Sequence, residues 1–148
     1  MTNLFISTVR YEKMMENGVQ KTVNEQYLLD AVSFTEAEAR TIEELTPFIS
    51  GEFTIPQIVK PRISELFLNE DGDRYYKVKV AFIMLDEKSG AEKKKTSNSL
   101  VRANDFKSAY LNFEAGMKGT IADYEILSIS EIPILDYFPF EDGQQNDV

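Results

Sequence analysis

The stretch RYYKVKVAFIMLDEKSGAEKKKTSNSLVRA, residues 74–103, decides how the chain is read. Successive side chains of a strand point to opposite faces, so Tyr76, Val78, Val80, Phe82 and Met84 form an apolar row while Tyr75, Lys77 and Lys79 form a second row on the other face. Ser89-Gly90 supplies the residue favoured by a turn with positive φ, and residues 92–103 return antiparallel to the first strand. A β-hairpin is predicted here.

The same pattern is present 72 residues earlier, where Asn17-Gly18 separates the alternating runs 4–13 and 21–31. At that spacing Lys21 meets Lys93, Leu28 meets Leu100, Ala31 meets Ala103, Phe34 meets Phe106 and Ala37 meets Ala109. At a spacing of 71, Val9 meets Val80, Ile55 meets Ile126, Ile58 meets Ile129, Ile63 meets Ile134 and Phe67 meets Phe138. One residue more in the second hairpin loop, and one fewer between helix and last strand, would account for both spacings. The expectation is an internally duplicated chain of two repeats, 4–68 and 75–138.

After each hairpin a helix is expected. Ser33-Phe34-Thr35-Glu36 has the form of a capping box, and Phe34, Ala37, Thr41 and Leu45 recur on one helical face until Pro47 and Gly51 end it. In the second half Asn104-Asp105 supplies the cap, Phe106, Tyr110, Phe113 and Met117 line one face, and Gly116 and Gly119 close it. Long extended segments follow at 53–68 and 124–138. Pro56, Pro61 and Pro133 each lack a donor, so these strands are expected to bend or to lie at a sheet edge. Tyr124, Tyr137 and Phe138 match Phe53, Leu66 and Phe67 and read as core. The fold class is α+β: two ββαβ units forming a curved, mostly antiparallel sheet with two helices packed on it. Residues 1–140 form a single domain, and 141–148 read as an acidic disordered tail.

At 148 residues the chain is long enough to bury a core without staples, and it contains no cysteine and no histidine. That composition removes disulfides, cysteine-rich zinc sites, cysteine nucleophiles and any Ser-His-Asp arrangement. Residues 1–10 lack the basic and apolar regions of a signal peptide, and no apolar run reaches the length of a membrane span, so a cytoplasmic protein without membrane contact is expected. No phosphate-binding loop, GxGxxG or GxSxG is present. Asp71-Gly72-Asp73 lacks the remaining positions of a calcium loop, and Glu92-Lys93-Lys94 is too common a spacing to mark a nuclease. No enzyme, cofactor or metal is expected.

The net charge is −9, but it is unevenly placed. Eleven of the sixteen basic residues lie between Lys60 and Lys107, whereas the residues after Lys118 carry seven acids and no base. Lys77 and Lys79 share a strand face with Tyr75, Lys93, Lys94 and Lys95 open the partner strand, and Arg102 lies near its far end. Cations beside an aromatic ring suit a phosphate backbone and a stacked base, so the expected ligand of this basic, aromatic β-hairpin is single-stranded nucleic acid, with single-stranded DNA the first choice. Arg10 and Lys21, with Lys13, form a thinner counterpart in the first half. The same lysines also suit a sheet edge guarded against aggregation. Glu141, Asp142 and Asp147 resemble the acidic tails with which some single-stranded-DNA-binding proteins recruit partners. The alternative is a protein-interaction or small-ligand adaptor built on a pseudo-symmetric groove or a homo-oligomer interface.

The runs 32–40 (VSFTEAEAR), 45–53 (LTPFISGEF) and 85–93 (LDEKSGAEK) resemble an uncharacterised domain-of-unknown-function family of Bacteroidetes and their tailed gut (crAss-like) phages, over nearly the whole chain. The resemblance carries no catalytic residues. It implies a context of nucleic-acid metabolism or host–phage interaction, in the host cytoplasm where the gene is a phage's.

Overall fold

A computed structural model describes residues 3–69 and 71–140. The elements run β1 (Asn3–Met14), β2 (Gln20–Ala31), α1 (Phe34–Leu45), β3 (Phe53–Val59), β4 (Glu65–Leu68), β5 (Arg74–Leu85), β6 (Glu92–Ala103), α2 (Phe106–Gly116), β7 (Asp123–Ile132) and β8 (Ile134–Phe138). The class is α+β. The strands form two four-stranded sheets, ordered β3-β1-β2-β8 and β4-β6-β5-β7, where one curved sheet had been expected. The chain accordingly divides into two compact units, one made of Met1–Pro61 with Ile134–Val148, the other of Arg62–Pro133.

Both hairpins form as the alternation predicts, with β1 paired antiparallel to β2 and β5 to β6. Gly18 at φ 83° and Gly90 at φ 71° adopt the left-handed conformation that makes glycine the default there. The first loop spans residues 15–19 and the second 86–91. Both helices are capped as expected. The Ser33 hydroxyl accepts from the Glu36 N–H at 3.1 Å, while the Glu36 carboxylate accepts from the Val32 N–H at 3.0 Å. Asp105 and Ser108 form a reciprocal capping box.

The long segments 53–68 and 124–138 do not continue as single strands. Proline cannot donate to a ladder, and the first segment breaks around Pro61 into β3 and β4, the second at Pro133 into β7 and β8. Each pair of fragments is then divided between sheets. β3 is an edge strand antiparallel to β1, with a register shift opposite Pro56, whereas β4 joins β6 in parallel in the second unit. β7 is an edge strand antiparallel to β5, whereas β8 joins β2 in parallel in the first unit. All four fragments lie at sheet edges, which is where proline-bearing strands are tolerated.

The core of the first unit is built by Phe5, Leu29, Ala31 and Ala37, and by Val9, Tyr27 and Leu45, with Phe138 of β8 packed on both groups. In the second unit Val78, Val80, Val101, Phe113 and Met117 form the core, and Phe67 of β4 packs against it. Helical periodicity located Ala37, Thr41, Leu45, Phe113 and Met117 correctly, but Phe34 and Phe106 at the first turns stay more than half exposed. Phe113 is fully buried and meets Phe67 and Tyr124 edge-on at 5.7 and 5.8 Å. Truncation there removes apolar burial and leaves a cavity. Phe113→Ala is expected to lower unfolding stability by about 3–5 kcal/mol in a urea titration, against less than about 0.5 kcal/mol for Lys107→Ala on the exposed surface of the same helix.

Candidate nucleic-acid interface

Strands β5 and β6 lie at the centre of their sheet, so the row Tyr75, Lys77, Lys79 is flanked on both sides. Lys77 faces Leu100 of β6 and Ser130 of β7, and Lys79 faces Asn98 and Ser128. Directly opposed residues share a face, so Lys77 stands between buried Leu100 and exposed Ser130, and Lys79 between half-buried Asn98 and exposed Ser128. The face with Val78 and Val80 packs against α2, and that packing turns the lysines away from the helix. Among the described residues neither Lys77 nor Lys79 has an ion-pair partner.

Tyr75 does not supply the exposed ring expected of it. It is only 3% exposed, its hydroxyl accepts from Arg102 Nε at 3.1 Å, and the Arg102 guanidinium lies over its ring at 5.3 Å. Alternation assigns a side chain to a face but says nothing of what covers that face. Tyr75 and Arg102 oppose each other in the β5–β6 register, and each occupies the other's binding capacity.

The lysine run is divided by the same alternation. Lys94, opposite Ile83, shares the face of Lys77 and Lys79, whereas Lys93 and Lys95, opposite Met84 and Phe82, project on the helix-bearing side. Lys94 is paired with Glu125 at 2.8 Å, and that hydrogen bond raises its pKa above the usual lysine value. Lys93 lies 3.6 Å from Asp86, whose carboxyl is held below its ordinary range first by the Lys88 N–H and less by Lys93. Lys95 is exposed. The ladder from β4 reaches β6 only at Ser99–Arg102, so residues 92–97 form a free edge, and three lysines there also serve to discourage a further strand.

In the first unit Arg10 and Lys21 lie on opposite faces of the β1–β2 hairpin. Arg10 Nε donates to Asn24 Oδ1 at 3.0 Å, and Arg10 lines a surface groove of about 550 Å³ with Glu12, Thr22, Glu52 and Thr54. Lys21 is exposed opposite Lys13, which turns to Glu25 at 3.6 Å. The two do not make one patch. The acidic residues Glu141, Asp142 and Asp147 lie outside the described residues.

Ser128, Ser130 and Asn98 were missed in the sequence, although Ser128 and Ser130 alternate with Leu127 and Ile129 in the way of a strand with one polar face. A second missed feature is a polar network in the first unit. The Glu25 carboxylate accepts from the Tyr11 hydroxyl at 2.8 Å and the Tyr27 hydroxyl at 3.3 Å. Burial, then Glu25, push the Tyr11 phenol from near 10 up to about 12, and the same causes raise Tyr27. The hydrogen bond to Glu114, then burial, push Tyr124 to about 12 in the second unit. Among the described residues no group of three or more acidic side chains is arranged to hold a metal, and no helix is long and apolar enough to cross a membrane.

The folded protein holds the Tyr11 and Tyr124 protons more tightly than the unfolded chain does. The stability they contribute is complete below pH 10, the ordinary value, and is lost as pH rises through about 12. Tyrosinate absorbance is expected to show a late-titrating fraction in the native protein that merges with the rest in urea. Tyr11→Phe should shrink that fraction, and its persistence unchanged would count against the assignment of Tyr11.

No curated protein matches this chain. Residues 3–140 match the family described as Domain of unknown function (DUF4494), which covers all the described secondary structure, and the chain belongs to that family.

Proposed function

We propose that the protein is a non-enzymatic nucleic-acid-binding protein that engages single strands through the β6-β5-β7 face bearing Lys77, Lys79 and Lys94. The observation that carries this reading is the pair of exposed ammonium groups of Lys77 and Lys79, without an ion-pair partner among the described residues and flanked by Ser128 and Ser130. Ammonium groups attract a phosphate backbone, and hydroxyl donors bind its oxygens without reading sequence. Tyr75 and Arg102 act in this scheme as a buried support for the sheet. Contact is thus mainly electrostatic and weakly sequence-dependent. The likeness to proteins of Bacteroidetes and their gut phages supports a cytoplasmic role in nucleic-acid metabolism, in the host cytoplasm for a phage protein.

The chain is further read as a duplication. Support comes from the element order ββαββ occurring twice, from a second hairpin loop one residue longer than the first, and from a helix-to-strand connection of 117–122 against 46–52. The edge-strand registers keep the spacing of 71, Gln57 facing Thr8 where Ser128 faces Lys79. On that reading the two units have diverged at the central lysines, since Ile6 and Thr8 stand where Lys77 and Lys79 do.

Fluorescence anisotropy with a labelled single-stranded oligonucleotide tests the reading. Binding at low salt is expected to weaken linearly in log–log form as salt rises, and Lys77→Glu with Lys79→Glu should weaken it at least tenfold. Lys95→Glu, on the other face, should change it by no more than about twofold, since only the general field is altered. Absent or salt-independent binding would leave the alternative, a protein-interaction or small-ligand adaptor. That reading draws on apolar side chains exposed at both hairpin tips, Met14 and Val19 in one, Met84 and Leu85 in the other.

A further inference from the structure

The first unit contains a built receptor for an extended peptide, filled by the last described segment of the chain. β8 adds in parallel to the edge of β2, with Leu28 opposite Tyr137 and Leu29 opposite Phe138. Phe138 stacks on Tyr27 at 5.6 Å and packs into the core. Asp30 Oδ2 accepts from the Tyr137 hydroxyl at 2.5 Å and from the Phe140 N–H at 3.2 Å. Arg40, 9% exposed on α1, donates to the backbone carbonyls of Asp30 and Pro139, the latter at 3.1 Å, and lies over the Phe140 ring at 5.8 Å. This is strand addition with an aromatic anchor and a charged clamp, the physics by which sheets bind peptides.

The second unit holds β4 in the equivalent place without that clamp. Its helix offers Asn112, whose amide donates to the Arg102 carbonyl at 3.1 Å much as Arg40 donates to Asp30. The acid-and-guanidinium pair is therefore particular to the groove that receives residues 134–140. The connection into it is equally particular: β7 belongs to the second unit, β8 to the first, and Pro133 alone lies between them. Proline fixes its own φ and biases the residue before it toward extended backbone, so this one-residue connection has little conformational freedom.

We infer that residues 134–140 exchange between two copies of this chain, giving a strand-swapped dimer in which β8 of each copy completes the first unit of the other. The occupant is a second copy because the groove reads features of this chain's own sequence: a tyrosine hydroxyl, the phenylalanine after it, and a proline carbonyl followed by a second phenylalanine. Two identical grooves and two identical donors satisfy each other in a reciprocal exchange, which closes as a two-fold dimer. Every contact of the groove is kept in either form. The tether alone favours the monomer, with an effective concentration on the order of millimolar, so exchange requires chains that unfold and refold together at comparable concentration.

The test uses full-length protein with a diazirine amino acid at position 135, where Leu135 is 54% exposed. Isotopically heavy and light copies are unfolded in urea, mixed, refolded at about 1 mM, separated by size and irradiated. A dimer fraction that persists on dilution and carries heavy-to-light cross-links from position 135 to β2 is expected. Absence of a dimer, or a dimer whose cross-links from position 135 to β2 stay within single copies, would overturn the exchange.

Discussion

The missing N–H of proline shapes this structure more than any other single constraint. Two segments with enough apolar residues for long strands, 53–68 and 123–138, each carry proline where a ladder would need a donor, and each breaks there. The first fragment of each closes the open edge of its own hairpin, and the second completes the sheet of the other unit. Each unit thereby owes one edge strand to a distant part of the sequence. Pro56 has a milder effect, because it coincides with a register shift on an edge strand and costs no ladder bond that the sheet requires.

Once β8 is delivered to the first unit, a polar arrangement retains it. Burying Arg40 would be costly without partners, and its guanidinium finds two carbonyls, the Phe140 ring and Glu44 at 4.0 Å. Asp30 is compensated in turn by a phenol and a backbone N–H. In the second unit aromatic packing does more of the equivalent work, with Phe67 against Phe113 and close to Gly116, where a Cβ would fall 2.4 Å from the ring. The two units reach the same architecture through different mixtures of charge and apolar burial.

The surface chemistry divides along the same lines. Alternation along β5 carries the whole separation between the apolar row that meets α2 and the lysine row that does not. Alternation along β6 separates three consecutive lysines, leaving Lys94 on the face of Lys77 and Lys79 and sending Lys93 and Lys95 to the other. A cation's availability then depends on its neighbours. Glu125 and Asp86 partly neutralise Lys94 and Lys93, whereas Lys77 and Lys79 have no ion-pair partner among the described residues.

Most of the local structure was legible in the residues themselves. The hairpins follow from period-two apolar rows and glycines at positive φ, the helices from Ser33 and Asp105 as caps, and the helix-side cores from Val78, Val80, Phe113, Ala37 and Leu45. Local preference and periodicity act over a few residues, so the sequence alone determined them. Which sheet a strand fragment joins depends on pairing with distant residues, Glu65 with Ser99 for β4 and Gln26 with Ile134 for β8. Neither the division of 53–68 and 123–138 between two sheets nor the meeting of Arg40 with Pro139 has a local signature. The same holds for Tyr75. Its face was readable from the alternation, but only the tertiary structure decided that Arg102 would cover its ring, because burial belongs to the neighbours and not to the residue.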